Sequence, residues 1–586
     1  MRQWMVAAKK ADFYMIAEKF HVDPVVARII RNREVIGEKN IRIYLGGNLS
    51  DLSDPHQMKD MDRLVEILAQ KIRKQVHIRI IGDYDVDGVT SSHLFLTALR
   101  RVGAKVDVVI PHRIQDGYGL SLHLLQQAKE DGVDTILTCD NGIAAIDEIA
   151  WAKAQKMTVL VTDHHAVPFE EHEGRRTEKK SLADAVVNPH QQDCGYPYKE
   201  LCGAGVAWNV IRVLYENYDM DKREAEDLLD FVAMATVCDV MSLTGENRIL
   251  VKEGLKRIRH TKNIGLQALM QACNVQPENI SAYHFGYVLG PCVNATGRLD
   301  TARHALRLFE TGQETEAEEI ARDLVDLNQE RKELTLQGVE MAKKLCEEGG
   351  YENDPVLVLF LPDVHESIAG LIAGRIREMY NRPVFVLTRG EEGVKGSGRS
   401  TENYSMYENM CGCAELFTKF GGHPMAAGLS LPEENVEKFR RKINENCPLT
   451  VEEVCPDIHI DMAMPVGYAS TELVHQFALL EPFGKDNPSP LFADRNLSIS
   501  RMWLIGKNRN VLRMSVLSEY GQPVPVIFFG DVETLFAYFT EKFGQEEVEN
   551  ALHGRKNRIL FSMVYTAKID FYQGNENLQL EMKYYR

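Results

Sequence analysis

The sequence has no CxxC pair, no even cysteine framework and no apolar run of 18 residues. The first absence argues against a zinc ribbon, the second against a disulfide scaffold, the third against a membrane span. Eleven scattered cysteines, Cys411 and Cys413 only one residue apart, read as reduced thiols of a cytoplasmic protein. The N-terminus (MRQWMVAAKKADFYMIAEKF) interleaves charges with apolar positions and resembles neither a signal peptide nor a transit peptide. Positive charge is in deficit: 68 Lys and Arg against 85 Asp and Glu leave −17. That balance counts against nucleic-acid binding by bulk attraction and leaves local phosphate contacts open. What remains is a globular composition, 44% hydrophobic and 26% charged, in a 586-residue chain. Such a length suggests about three or four domains.

The chain is organised around VHIRIIGDYDVDGVTSS, residues 76–92. An apolar strand to Ile81, a turn at Gly82 and a helix opening near Ser91 bracket Asp83, Asp85 and Asp87. Three carboxylates at the carboxyl end of a strand repel one another unless a cation neutralises them, so the spacing points to a hard divalent metal. An acidic surface loop would share the spacing, but the strand, the glycines and the helix favour a site. From Val76 onward strands and helices alternate, which predicts a doubly wound parallel sheet. Two later strands end in TCDNG (Asp140) and VTDHHAVP (Asp163, His164, His165), and Asp239 stands alone in an apolar run. Acids and imidazoles converging on one rim favour Mn, Mg or a similar ion over Ca, with enough carboxylates for two metals and one bridge.

Residues 1–70 read as helical and carry no evident chemistry. A proline-free stretch from Thr311 to Glu348 keeps helical periodicity over about 50 Å. A second alternating unit follows, with HESIAGLIAGRIRE, GSGRS and FGGHPMAAG. Small residues beside a guanidinium or imidazole there suit close approach of a phosphate. Beyond Pro456 five short apolar runs suggest an OB-fold barrel, and this region carries only −3 of the net charge. Lys507, Arg509, Arg513, Arg555, Lys556 and Arg558 fall in or near its predicted loops, where a single strand could be tracked.

GDYDVDG, TCDNG, DHH and ATVCDV occur in the order and spacing of the DHH phosphoesterase superfamily. More narrowly, RIQDGYGLS, VVNP, LCGAGVAW, NATGRL and LEPFGKDNPSPLF make the chain similar to its bacterial exonucleases specific for single-stranded DNA. The resemblance implies a DHH catalytic domain (71–310), preceded by a helical segment packed on it (1–70). It implies a long connecting helix (311–348), a DHH-associated substrate-binding domain (349–450) and an OB-fold single-strand-binding domain (451–586). Two divalent ions, Mn or Mg, would be held by Asp85, Asp87, Asp140, His164 and Asp239, with Asp140 as the bridge. Asp83 would be a ligand or a nearby base, Asp163 would orient an imidazole and His165 would face the scissile phosphate. Arg298, Arg375, Ser397, Arg399 and His423 would contact DNA. Cys292 stands where relatives are expected to carry a basic residue, and the resemblance implies an expectation that the tail some relatives carry after the barrel is absent.

The implied function is 5′-to-3′ degradation of single-stranded DNA to mononucleotides in repair and recombination. It would be carried out by a cytoplasmic monomer not bound to membrane, with a helicase and a single-strand-binding protein as candidate partners. The alternatives are a phosphoesterase of short oligonucleotides or cyclic dinucleotides, which would need neither barrel nor this length, and a non-catalytic scaffold, which the full ligand set argues against.

Overall fold

The computed structural model describes residues 3–586 except 114, 115, 118, 173, 174, 391, 392, 507, 508 and 573. Lys507, and Ile114, Gln115 and Tyr118 of the RIQDGYGLS motif, therefore lie outside the described residues. The chain divides into two compact units. The first (Leu52–Met241 and Ile249–Pro456) is built on a five-stranded sheet of β1 (His77–Ile81), β2 (Lys105–Val109), β3 (Thr135–Cys139), β4 (Thr158–Thr162) and β5 (Ala185–Val187). All neighbours are parallel and the order is β2-β1-β3-β4-β5. Short, nearly continuous apolar strands are what a sheet covered on both faces requires. The order reverses between β1 and β3, and ligands of such sheets bind outside the carboxyl ends of strands at that switch point.

Helices α1 (Val86–Arg101), α2 (Leu122–Glu130) and α3 (Ile146–Ala154) alternate with the strands, and α4 (Gly203–Asn217) and α5 (Leu229–Cys238) pack against α1. Helix α1 opens at Val86, five residues before the predicted Ser91. The reason is local: Asp85 Oδ1 accepts from the Gly88 N–H at 3.0 Å, so a residue of the acid run is itself the N-cap. Helix α6 (Gly290–Leu299) carries the NATGRL motif.

The long helix is α7 (Glu314–Glu348). One half buries Ala317, Ile320, Ala321 and Leu324, and the other buries Val339, Ala342 and Cys346 in a core shared with α8 (Ala369–Tyr380). Gly338 permits the contact, since a Cβ there would lie 2.3 Å from Ile372 Cδ1. A second sheet follows, ordered β9-β10-β8-β7-β6, from β6 (Leu357–Phe360), β7 (Val384–Gly390), β8 (Gly393–Arg399), β9 (Lys419–His423) and β10 (Ala426–Leu431). Only the β6/β7 pair is parallel.

The second unit corrects the expectation for the N-terminal segment. Gln3–Asp51 belongs with Ser242–Arg248 and Asp457–Arg586. Trp4–Val6 pairs in parallel with Ile458–Ile460, and Val26, Ile29, Ile30 and Tyr44 enter one core with Phe492, Met514, Phe539 and Tyr565. Arg33 forks onto Asp461 at 2.7 and 3.1 Å. Arg248, 1% exposed, donates to the carbonyls of Tyr44, Leu479 and Leu480. Amphipathic periodicity showed that these helices have an apolar face; it could not show that the covering surface lies over 400 residues away.

Strands Phe492–Ile505, Val511–Leu517, Pro523–Phe528, Asn575–Tyr585 and Leu560–Tyr572 pair in that order, and the last returns to the first, closing the barrel. Its one parallel closure joins Pro523–Phe528 to Asn575–Tyr585. Among the basic residues expected in loops, Arg513 lies in a strand over the Trp503 ring and Arg558 is paired with Glu547 at 2.7 Å. Among the described residues no helix is long and apolar enough to cross a membrane.

Candidate metal centre

Two glycines fold the acid run onto the sheet edge. A Cβ on Gly82 would lie 2.0 Å from Ser92 Oγ, and one on Gly88 would lie 2.5 Å from the Asp83 backbone. The turn therefore closes only with bare backbone, which draws Asp83 and Asp87 into the interior while Asp85 stays half-buried. Asp87 Oδ2 and Oδ1 accept from Gly203 and Ala204 N–H at 2.6 and 2.7 Å, the free donors at the start of α4. Asp140, after β3, has φ 61°, a left-handed conformation that Asp tolerates better than most residues. A Cβ on Gly203 would lie 2.6 Å from the Asp140 Cβ, so this glycine lets α4 meet both acids.

The two imidazoles take different roles. Asp163, buried, accepts from the backbone of Ile143, His164 and His165 and from His165 Nδ1 at 2.8 Å, so the imidazole it orients is His165. His164 points instead among the acids: its Nε2 lies 3.0 Å from Asp140 Oδ1, 3.6 Å from Asp239 Oδ2 and 3.7 Å from Asp87 Oδ2. Asp239 reaches this point as the C-cap residue of α5. Asp83, Asp85 and Asp140 each bring an oxygen within 4.8 Å of the other two, as do the ligand atoms of Asp87, His164 and Asp239, and of Asp140, His164 and His165. Asp140 thus stands between two donor groups. Among the described residues, Asp83 Oδ2 and His164 Nε2 are buried and make no hydrogen bond.

Electrostatics bear out the shortage of positive charge. Burial first, and neighbouring carboxylates second, hold Asp83 and Asp140 well above the usual carboxylate range and raise Asp85. Burial also lowers His164, which favours the neutral ring with its free lone pair. His165 goes the other way. Burial pulls it down, but the bond to Asp163 and the charges of Asp163, Asp239 and Asp87 outweigh that and push it up to about 9. Hard oxygens with one neutral imidazole are a donor set for Mn or Mg.

Two of the cavities in the same unit lie beside this centre. One, of about 910 Å³, is lined by Arg298, Arg331, Lys332, Arg375 and Arg399, with Tyr287 and Asn294. The other, of about 410 Å³, is lined by Tyr84, Arg113, Ser397, Lys395, Lys419 and Gly421. Burial, then the charges of Arg113, Arg331 and Arg399, lowers Arg298 to about 10, and burial with Arg113 and Arg377 lowers Arg399. Of the residues implied to meet DNA, Arg298, Arg375 and Arg399 share the larger cavity and Ser397 lines the smaller; His423, at the exposed end of β9, lines neither. Arg331 and Lys332 were not singled out from the sequence, because on the mixed-charge α7 they look like any solvated pair. Arg113 was visible only as the first letter of a motif.

The fold and the acid cluster define a DHH-type domain: the model of the DHH family, N-terminal domain, matches residues 77–236. The DHHA1 domain model matches 353–447 and the RecJ OB domain model 460–584. The single-stranded-DNA-specific exonuclease RecJ of Haemophilus influenzae is 32% identical over 582 residues, 96% of each chain. That of Bacillus subtilis is 33% identical over 511 residues, covering 86% of this chain and 63% of that protein. The structure of RecJ from Thermus thermophilus in complex with Mn2+ superposes with a TM-score of 0.81 at 25% identity, covering all of this chain and 79% of that one. This chain belongs to the RecJ family.

Proposed function

We propose that this protein is a metal-dependent exonuclease that degrades single-stranded DNA from the 5′ end to mononucleotides in repair and recombination. The observation that carries the reading is the convergence of Asp140, Asp239 and Asp87 oxygens within 3.7 Å of His164 Nε2, from four separate chain segments. Asp83, Asp85 and Asp140 would hold one divalent ion, Mn or Mg, and Asp87, His164 and Asp239, with Asp140 beside them, would hold the other. Bound ions of this kind supply hydroxide from water near neutral pH and offset charge on the attacking and leaving oxygens. Asp163 fixes the His165 ring, which stays protonated and donates to the scissile phosphate. Arg298, Arg375, Arg399 and Ser397 hold the phosphates upstream, and Arg331 and Lys332 extend that surface. His423 contacts the strand further out.

In this division of labour residues 71–310 are catalytic, 349–450 bind substrate and 451–586 hold the single strand. A helicase that exposes single strands and a single-strand-binding protein are the partners such an enzyme calls for. Eleven free thiols suit a monomer working in a reducing cytoplasm. Asp85→Ala and His164→Ala test the reading directly. Each is expected to abolish Mn-dependent cleavage of a single-stranded oligonucleotide while leaving its binding in place. Cleavage at the parent rate by either variant would overturn it.

A further inference from the structure

Cysteine appears at one place where two thiols meet. Cys273 caps the C-terminus of the helix Ile264–Ala272, and Cys292 sits in the first turn of α6, with the two Sγ atoms 3.7 Å apart. Cys273 is half-buried and Cys292 is 2% exposed. The Cys292 Sγ also accepts from Asn328 Nδ2 at 3.3 Å, which pins it to α7. We propose that Cys273 and Cys292 are a peroxide-sensitive dithiol whose oxidation to a disulfide lowers the nuclease activity.

The chemistry has a direction. The hydrogen bond shared with Cys292 and then, against burial, the charge of Lys332 lower the Cys273 thiol, while the same pairing and burial push the Cys292 thiol up. Cys273, half-buried where Cys292 is 2% exposed, is the sulfur a peroxide can reach and is the nucleophile. Cys273 Sγ takes the terminal oxygen of a hydroperoxide such as hydrogen peroxide; the O–O bond breaks and hydroxide leaves, collecting the thiol proton as water. Cys292 Sγ then attacks the resulting sulfenic sulfur; the S–O bond breaks and a second water leaves with the Cys292 proton. Two thiols are oxidised, one peroxide is reduced, and no other reagent enters.

The product shortens the sulfur–sulfur gap from 3.7 Å to about 2.05 Å, a change shared between rotation of the two side chains and displacement of the helices that carry them. Helix α6 is a poor place to absorb that. Its Asn294 Oδ1 accepts from Val86 N–H at the start of α1, and Gly297 is packed so closely on Tyr84 O that a Cβ would lie 2.3 Å away. Arg298 donates to Ser367 O at 2.6 Å. The first two contacts hold the loop that carries Asp83, Asp85 and Asp87, and the third ties Arg298 of the larger cavity to Ser367 of the smaller. A shift at Cys292 is thus passed to both.

The activity consequence rests on the exonuclease reading; the disulfide itself does not. The test treats the metal-loaded full-length protein with hydrogen peroxide, removes the oxidant with catalase, and divides the sample between peptide mapping and single-stranded DNA cleavage. The expected result is one cross-link between the peptides carrying Cys273 and Cys292, with a mass lower by two hydrogens. Cleavage should fall roughly fivefold or more and return with dithiothreitol. The Cys273→Ser protein should cleave at the parent rate and ignore peroxide. Peroxide oxidation of Cys273 to sulfinic acid with no cross-link would overturn the dithiol. A cross-link with unchanged cleavage would overturn the coupling, and equal peroxide sensitivity in Cys273→Ser would place the loss elsewhere. A protein that forms the cross-link but never cleaves DNA would count against the exonuclease reading, not against the thiol pair.

Discussion

Asp140→Asn separates the two things the acid cluster does. Asn keeps the size of the side chain and tolerates the left-handed backbone at φ 61°, so the fold around it should survive. The lost charge lies within 4.8 Å of oxygens from Asp83 and Asp85. At an effective dielectric of about 20, one like-charge pair at that distance costs roughly 3 kcal/mol. The metal-free protein relieves part of this by retaining protons, as the raised Asp83 and Asp140 show. The net gain on removing the charge is then about 1 to 3 kcal/mol, a rise of a few degrees in the melting temperature of a large unit. With Mn the order reverses, because the parent has one more anionic donor between the two groups. Losing about 4 kcal/mol of metal-assisted stabilisation slows cleavage roughly 10³-fold. Thermal unfolding in EDTA and in Mn, alongside cleavage of a single-stranded oligonucleotide, reads all three quantities. A variant that melts lower than the parent in EDTA, or keeps cleavage within about tenfold, would refute the reasoning.

Three further outcomes follow from the same structure. Gly203→Ala puts a methyl group 2.6 Å from Asp140 Cβ and 2.9 Å from its Cα, so it should destabilise by about 1 to 3 kcal/mol and cut cleavage further than stability alone explains, checked by urea titration and turnover. His93, buried against Phe231 and Phe309 and pushed down by burial to about 3, binds its proton in the unfolded chain first. Stability is therefore full above about pH 6.5 and is lost as pH falls toward 3, by roughly 2 kcal/mol at pH 5; His93→Leu should remove that part of the acid sensitivity in unfolding titrations at pH 7 and 5. Arg248→Met leaves three carbonyl partners short of a buried donor and should destabilise the barrel-bearing unit by about 3 kcal/mol or more, read by comparing urea unfolding of variant and parent by tryptophan fluorescence.

The parallel sheet and its acid rim were legible because both are local: a short apolar run followed by DxDxD, CDNG or DHH states the strand and its tip within a dozen residues. The helix start at Val86 was misjudged because an Asp that reads as a ligand is equally an N-cap, and Asp85 occupies the cap position. The home of residues 3–51 was illegible because pairing of Trp4 with Ile458 or burial of Tyr44 beside Asn487 leaves no periodic trace. In the site, the carboxylates announced themselves by number. Gly203 did not: its role appears only once α4 is seen to start against Asp87 and Asp140. Arg331 and Lys332 were hidden in the same way, since only the turn of α7 toward the cavity distinguishes them from neighbouring charges.

The measurement that tests the central claim most directly uses single-stranded DNA labelled at either end, with a duplex and a cyclic dinucleotide alongside, incubated with the protein and Mn. Release of labelled mononucleotide from the 5′ end, with the duplex intact, is the predicted result. Cleavage of the cyclic dinucleotide alone, or no hydrolysis of any substrate, would contradict it.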